Sequence, residues 1–185
     1  MKVIFRALVF ALICCGCAAF SQAQDQPGLS PDKPNDLPKI ETKFDKAKNE
    51  TNVEFRLLLI IDTETDKLLI SVNATYSTQT PKTHPEDVVF IVSTLNKIGY
   101  RYPDVLALNI IADGQRLSPI VLLNLDKRAA VGEYYETLGT RMKYDVFMRV
   151  AKAKAVQMQF STASFELNDR HLAVLHKFAD LLHLD

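Results

Sequence analysis

The sequence predicts an α+β fold, mostly antiparallel β, with about seven strands in a sandwich or curled sheet and two helices near the C-terminus. Three observations predict it. Apolar residues recur at every second position in several segments between Asn52 and Phe160, the period of a strand with one buried face. Asp113-Gly114 stands between two apolar runs, the strongest short-range hairpin signal. Spacings of three and four, the mark of an amphipathic helix, come late in the chain, around Phe147 and after Asn168.

A single globular domain is expected over 51–185. Its first strand is NVEFRLLLIID, with Val53, Phe55, Leu57, Leu59 and Ile61 on one face. DKLLISVNATYS repeats the alternation with Leu68, Ile70, Val72, Ala74 and Tyr76 inward. The polar DTETD between them makes the pair a hairpin. THPEDVVFIVSTLNKIG has helix-like ends, but its body VVFIVST is β-branched and aromatic and apolar on both faces. That favours a buried strand. DVLALNIIADGQRLSPIVLLNL is the Asp-Gly hairpin, and Pro119 places its second strand at an edge or a bulge. VGEYYETLGT is the sixth strand. MKYDVFMRVAKA puts Val146, Phe147 and Val150 on one helical face, and AVQMQFS alternates Val156, Met158 and Phe160 inward. In the last helix Asn168 caps the N-terminus, and Leu172, Leu175, Phe178, Ala179 and Leu182 form the buried stripe.

The N-terminus has a different character. Lys2 and Arg6 precede an apolar run to about Cys17, and Ser21 and Ala23 have the small-x-small spacing of a cleavage site. Residues 1–23 are therefore expected to be a secretory signal peptide. Residues 24–50 hold Pro27, Pro31, Pro34 and Pro38 among charges and amides, and are expected to be a disordered or extended tether. All three cysteines, Cys14, Cys15 and Cys17, lie in the export segment. Cleavage after Ala23 would remove them, so the domain has to be stabilised by packing alone. CCGCA also partly matches a lipoprotein signal, with Gly16 and Ala18 around Cys17 but Cys14 where a leucine belongs. Shifting the register to Cys15 supplies Leu12 at that place but puts Cys14 where a small residue belongs. Release is the leading expectation, and lipidation at Cys17 or Cys15 is its alternative.

Charge narrows the function classes. The chain carries 22 Lys+Arg against 22 Asp+Glu. Losing Lys2 and Arg6 moves the formal charge from 0 to −2, far from the basic excess of a nucleic-acid binder. Arg141, Lys143, Arg149, Lys152 and Lys154 cluster around the first helix, either as a contact face for an acidic partner or as a solvated surface. Tyr134 and Tyr135 must point to opposite faces of their strand, so one is a candidate contact. Asp62, Glu64 and Asp66 alternate in DTETD, but the glycine and distant glutamate of a calcium loop are missing. His171, His176 and His183 lack the i, i+4 spacing of a helical zinc site, and His84 stands apart. No G-x-S-x-G elbow or phosphate-binding glycine loop occurs. Asn49-Glu50-Thr51 and Asn73-Ala74-Thr75 match the glycosylation sequon, which matters only in a eukaryotic secretory route.

The strand ending FEL with its capped LxxLxxF helix, together with PEDVVFIV and LNIIADGQRL, resembles small exported bacterial proteins of uncharacterised function. The resemblance covers most of 52–183. It implies an extracytoplasmic β-rich domain and supplies no functional residues. The expected function is an exported, non-catalytic domain, without cofactor or metal, that binds a protein partner or supports an envelope assembly. It would meet a membrane only if lipid-anchored. The alternative is a carrier of an apolar or lipid ligand held between sheet and helices.

Overall fold

The computed structural model describes residues 37–182, apart from the side chain of Leu57. The expected signal peptide, the cysteines, most of the tether and His183 lie outside the described residues. The described residues form ten strands and two helices: β1 (Ile40–Asp45), β2 (Glu50–Asp62), β3 (Asp66–Tyr76), β4 (Asp87–Asn96), β5 (Val105–Ala112), β6 (Gln115–Arg116), β7 (Ile120–Ala130), β8 (Glu133–Lys143), α1 (Tyr144–Ala151), β9 (Val156–Phe160), β10 (Ala163–Glu166) and α2 (Asp169–Leu182). Every strand pairing is antiparallel.

All ten strands belong to one sheet, ordered β1-β2-β3-β4-β8-β7-β5-β9-β10, with β6 on β5. This corrects the expectation of about seven strands, and the sandwich with it. Two of the added strands are short outer ones, β1 and β10, and β6 is a two-residue continuation of the Asp-Gly hairpin. The sheet is strongly curled. A flat sheet at about 4.8 Å per strand would hold β2 and β10 roughly 34 Å apart, because seven pairing steps separate them. Instead Ile61 of β2 and Ala163 of β10 line the same pocket. The concave face wraps one core, to which both helices contribute.

β1 also shortens the expected tether. The last proline of that stretch is Pro38, and from Ile40 onward the backbone is free to donate, so the chain pairs with β2 as an edge strand. In β2 the simple alternation fails. A register shift between Phe55 and Leu58 turns Leu58 inward, where it is buried opposite Ile70. Leu59 then faces outward opposite Leu69, and a second shift sets Ile61 against Leu68. The ambiguous fourth segment is a strand, β4, with residues buried at every second position.

Three hairpins are closed by two-residue turns, and in two of them both turn residues have positive φ. Asp113 and Gly114 have φ of 48° and 78°, and Ala112 pairs with Gln115 across them, as a type I′ turn requires. The three residues from Leu108 to Ile110 then face the four from Leu117 to Ile120, with Leu117 buried and Pro119 at the irregularity. The β7–β8 turn has the same pattern of positive φ, but Val131 occupies the first position at φ 52°. A β-branched residue is strained there, and Val131 is fully exposed, so no packing compensates it.

The helices fill the concave side. Phe178 of α2 meets Phe55 edge-on at 5.3 Å and Phe147 of α1 at 5.8 Å, and all three are fully buried. α2 begins with a reciprocal cap. Asn168 Oδ1 accepts the His171 N–H at 3.0 Å, and the Asn168 N–H donates to His171 Nδ1 at 3.3 Å. The other ring nitrogen donates to the backbone of Leu59, which fixes the neutral tautomer and ties α2 to β2. Burial pushes the His171 pKa down, and the bond to Leu59 opposes that in part.

Two predictions follow from this packing. Phe178→Ala should cost about 3–5 kcal/mol in urea denaturation, and a loss under about 1 kcal/mol would show that α2 does not dock against Phe55. The second concerns pH. His171 binds a proton more readily unfolded than folded, so stability is highest above its unfolded pKa and falls as pH drops through that value, levelling off below the folded pKa. Comparing urea midpoints at about pH 7.5 and about pH 5.5, His171→Gln should lose less on acidification than the parent protein. An equal loss in both would remove His171 as a cause.

Candidate functional site

Two places on the molecule stand out from the regular pattern of apolar-inside, polar-outside strands. The first is the convex face of the sheet. Ile91 of β4, Gly139 of β8, Leu123 of β7 and Val105 of β5 lie in one lateral row, each opposite the next. Val121 lies beside the row, paired with Ala107. Leu123, Val121 and Val105 are 50–61% exposed. A bulge after Asn124 adds Leu125, which lies over Gly139 so closely that a Cβ there would meet Leu125 Cδ1 at 2.5 Å. Glycine and bulge together spread Leu125 across the neighbouring strand. Arg141, opposite Val89, is exposed at the rim and has no carboxylate partner among the described residues. Contiguous apolar area of this kind on one face marks an interaction surface more often than solvent-facing strand.

The second place is where the 97–104 loop is fastened to the sheet. Glu136 of β8 shares the inward face with Leu138 and is 1% exposed. Its carboxylate accepts the backbone N–H groups of Arg101 at 2.8 Å and Tyr102 at 3.1 Å. Beside it, Lys127 Nζ donates to the Tyr102 carbonyl and pairs with Asp104, both at 2.9 Å. From the other side Asn96 Oδ1 accepts the N–H groups of Ile98 and Gly99, both at 2.9 Å. The loop is held at both ends, and two of the side chains that hold it, Glu136 and Asn96, are buried and would otherwise have oxygens without partners. It closes a pocket of about 130 Å³ lined by the β2–β3 turn, the end of β4, Arg101, Tyr102 and Ala163. Burial raises the Tyr102 phenol pKa.

The residues singled out from sequence are dispersed. Of the five basic residues, Arg141 and Lys143 alternate on the outer face of β8, Arg149 is in α1, and Lys152 and Lys154 follow it. Lys143 is paired with Glu86 at 3.1 Å and Asp87 at 3.0 Å, and Arg149 donates to Gln115 Oε1 at 3.3 Å. Tyr134 packs edge-on against Tyr100, while Tyr135 donates to Glu133 at 2.7 Å beneath Arg128. The hydrogen bond to Glu133 raises the Tyr135 pKa. In the acidic turn, Asp62 faces Lys67 at 3.6 Å and Asp66 pairs with Arg101 at 2.9 Å. His84 stacks on Tyr144, and His176 donates to the Ala153 carbonyl. Among the described residues no group of three or more His, Cys, Asp or Glu side chains is placed to hold a metal ion. Asn49 is exposed and Asn73 half-buried.

Sequence reasoning missed Thr94, Asn96, Arg101 and Glu136. One signal was available: Glu136 has the strand parity of Leu138, so a carboxylate was heading into the core. The convex apolar row was hidden because VLALNII and IVLLNL are apolar on both faces, which also describes a doubly covered strand. No helix among the described residues is long and apolar enough to cross a membrane. Comparison with known proteins finds no matching family model, curated protein or solved structure.

Glu136→Ala should strand two loop N–H groups and cost about 3 kcal/mol. Amide hydrogen exchange at Arg101 and Tyr102 should accelerate well beyond the global change. If those two amides remain as protected as the rest of the domain, the carboxylate does not hold the loop.

Proposed function

We propose that this chain is an exported, non-catalytic domain that binds a protein partner of the cell envelope through the convex face of β4, β8, β7 and β5. The carrying observation is the exposed row Leu123–Val105 with Val121 and Leu125 beside it. An apolar centre within a polar rim is the anatomy of a protein–protein interface. The rim contains Ser93 and Thr137, which pair with each other across β4 and β8, and Asn109 and Gln159, which pair across β5 and β9. Arg141 gives it an unpaired cation. The partner that fits is a protein surface with an apolar patch and a carboxylate placed to meet Arg141. Export rests on the charged, apolar and small-residue order of residues 1–23, with lipidation at Cys17 or Cys15 as the anchored version of the same proposal.

The carrier reading finds less support. The space between sheet and helices is filled by Phe55, Phe147, Phe178 and their neighbours, and a lipid chain would have to displace them.

A photocrosslinking amino acid at Leu123, in protein made by its own host, should trap one protein adduct of defined mass. Val105→Glu, with the fold verified by circular dichroism, should abolish the adduct. The same probe at exposed Lys48 should trap none. No adduct at Leu123, a phospholipid adduct, or an adduct of twice the chain mass would each overturn the proposal. The last two would assign the face to a membrane or to a second copy.

A further inference from the structure

The pocket closed by the 97–104 loop is separate from the convex face and has a chemistry of its own. Thr94 and Asn96 are 6% and 2% exposed, and both line it. Thr94 Oγ1 and Asn96 Nδ2 are buried and have no hydrogen-bond partner among the described residues. The orientation of the Asn96 amide is fixed by its surroundings. Its oxygen accepts two backbone N–H groups, and a reversed amide would set its NH₂ against both donors. What remains is therefore a donor without an acceptor, beside a hydroxyl that can donate as well. An unmet buried donor is costly, and two side by side in the wall of a pocket point to a ligand with acceptor oxygens.

The surplus of donors selects the class of ligand. Arg101 and Lys67 line the pocket, and Asp66 is the carboxylate among the lining residues. Asp66 already holds one arm of the Arg101 guanidinium at 2.9 Å, and a guanidinium carries five N–H donors. Lys67 faces Asp62, just outside the lining, at 3.6 Å, so both cations have a carboxylate partner and the surplus is one of hydrogen-bond donors. Apart from Thr63, the remaining wall is apolar, with Ile61, Leu68 and the ring of Tyr102 in it. The volume, about 130 Å³, is slightly below that of an engineered cavity of about 150 Å³ that admits benzene.

We propose that this pocket binds a small carboxylate with a short apolar body, its oxygens on Thr94 Oγ1, Asn96 Nδ2 and the Arg101 guanidinium, and its body against Ile61 and Leu68. The 97–104 loop is the wall that admits it, held by Glu136 from beneath, so occupancy should quiet that loop.

The test is a titration of isotope-labelled protein, followed by nuclear magnetic resonance, with propionate and with benzoate. Chloride, inorganic phosphate and propionamide serve as comparisons at matched ionic strength. Saturable shifts of the Asn96 side-chain NH₂ and the Arg101 guanidinium are expected with at least one carboxylate and not with chloride or propionamide. Asn96→Asp keeps the oxygen that accepts from Ile98 and Gly99 but replaces the donor by a second oxygen. It should weaken carboxylate binding by at least about tenfold. Thr94→Val should weaken it less and leave the loop amides unshifted in the free protein. Unsaturating shifts with both carboxylates, equal shifts with chloride, preference for phosphate, or undiminished binding by Asn96→Asp would each overturn the proposal. A pocket that shows only long-lived water contacts to Asn96 Nδ2, unchanged by either carboxylate, would assign the donors to buried water instead. These readouts do not involve Leu123 or Val105, so the outcome is independent of the convex-face interface.

Discussion

The contact between Phe178 and Phe55 is the constraint on which the architecture depends. A single antiparallel sheet of this width exposes two broad faces, and a flat one would leave α2 covering only a few strands. The chain instead bends the sheet around the helix until β2 and β9 share one core. Phe178 sits at the middle of that closure, with β2 on one side and α1 on the other. His171 reinforces the same junction one turn into α2 by donating to Leu59. Removing the disulfide option leaves this aromatic packing as the main device that holds the two ends of the sheet at their observed separation.

The curl has a polar consequence. When a wide sheet closes on itself, the connections at its rim are forced over the open end of the core, where backbone groups cannot reach water freely. The 97–104 loop is such a connection. Glu136, Asn96 and Lys127 satisfy it with side chains drawn from three different strands. A carboxylate buried at that point is tolerable because two backbone N–H groups compensate its lost hydration. The pocket and its donors exist because the loop is held just clear of β4 and the β2–β3 turn.

Much of the fold was legible because it is built on local rules. The period-two runs located β3 and β9, the β-branched and aromatic body of VVFIVST located β4, the Asp-Gly pair located the β5–β6 turn, and Asn168 located the start of α2. The failures share a cause. The shift between Phe55 and Leu58 leaves no mark in a run of consecutive leucines and isoleucines, since any one of them can face inward. β1 has little apolar character and becomes a strand only through its pairing with β2. The candidate sites were less legible than the fold. Thr94 and Asn96 occupy inward positions of β4 that look like ordinary strand ends, and their meaning comes from Arg101, in the loop that follows, and from Ile61 and Ala163, which arrive from distant parts of the chain. The convex row is visible only once β8 is inserted between β4 and β7, an order no adjacent pair of segments reveals.

The two type I′ turns carry opposite instructions to an unfolded chain. Asp113-Gly114 favours its own reversal, so β5 and β6 meet at their turn before anything else holds them. Val131 disfavours the reversal it occupies, and the β7–β8 turn lends nothing to nucleation. That pair of strands has to close from its buried end, where Leu138 and Leu122 collapse inward, and drive the tip into shape last. The β7–β8 pair is thus held by its buried residues and its pairing with β4 and β5 rather than by its own turn.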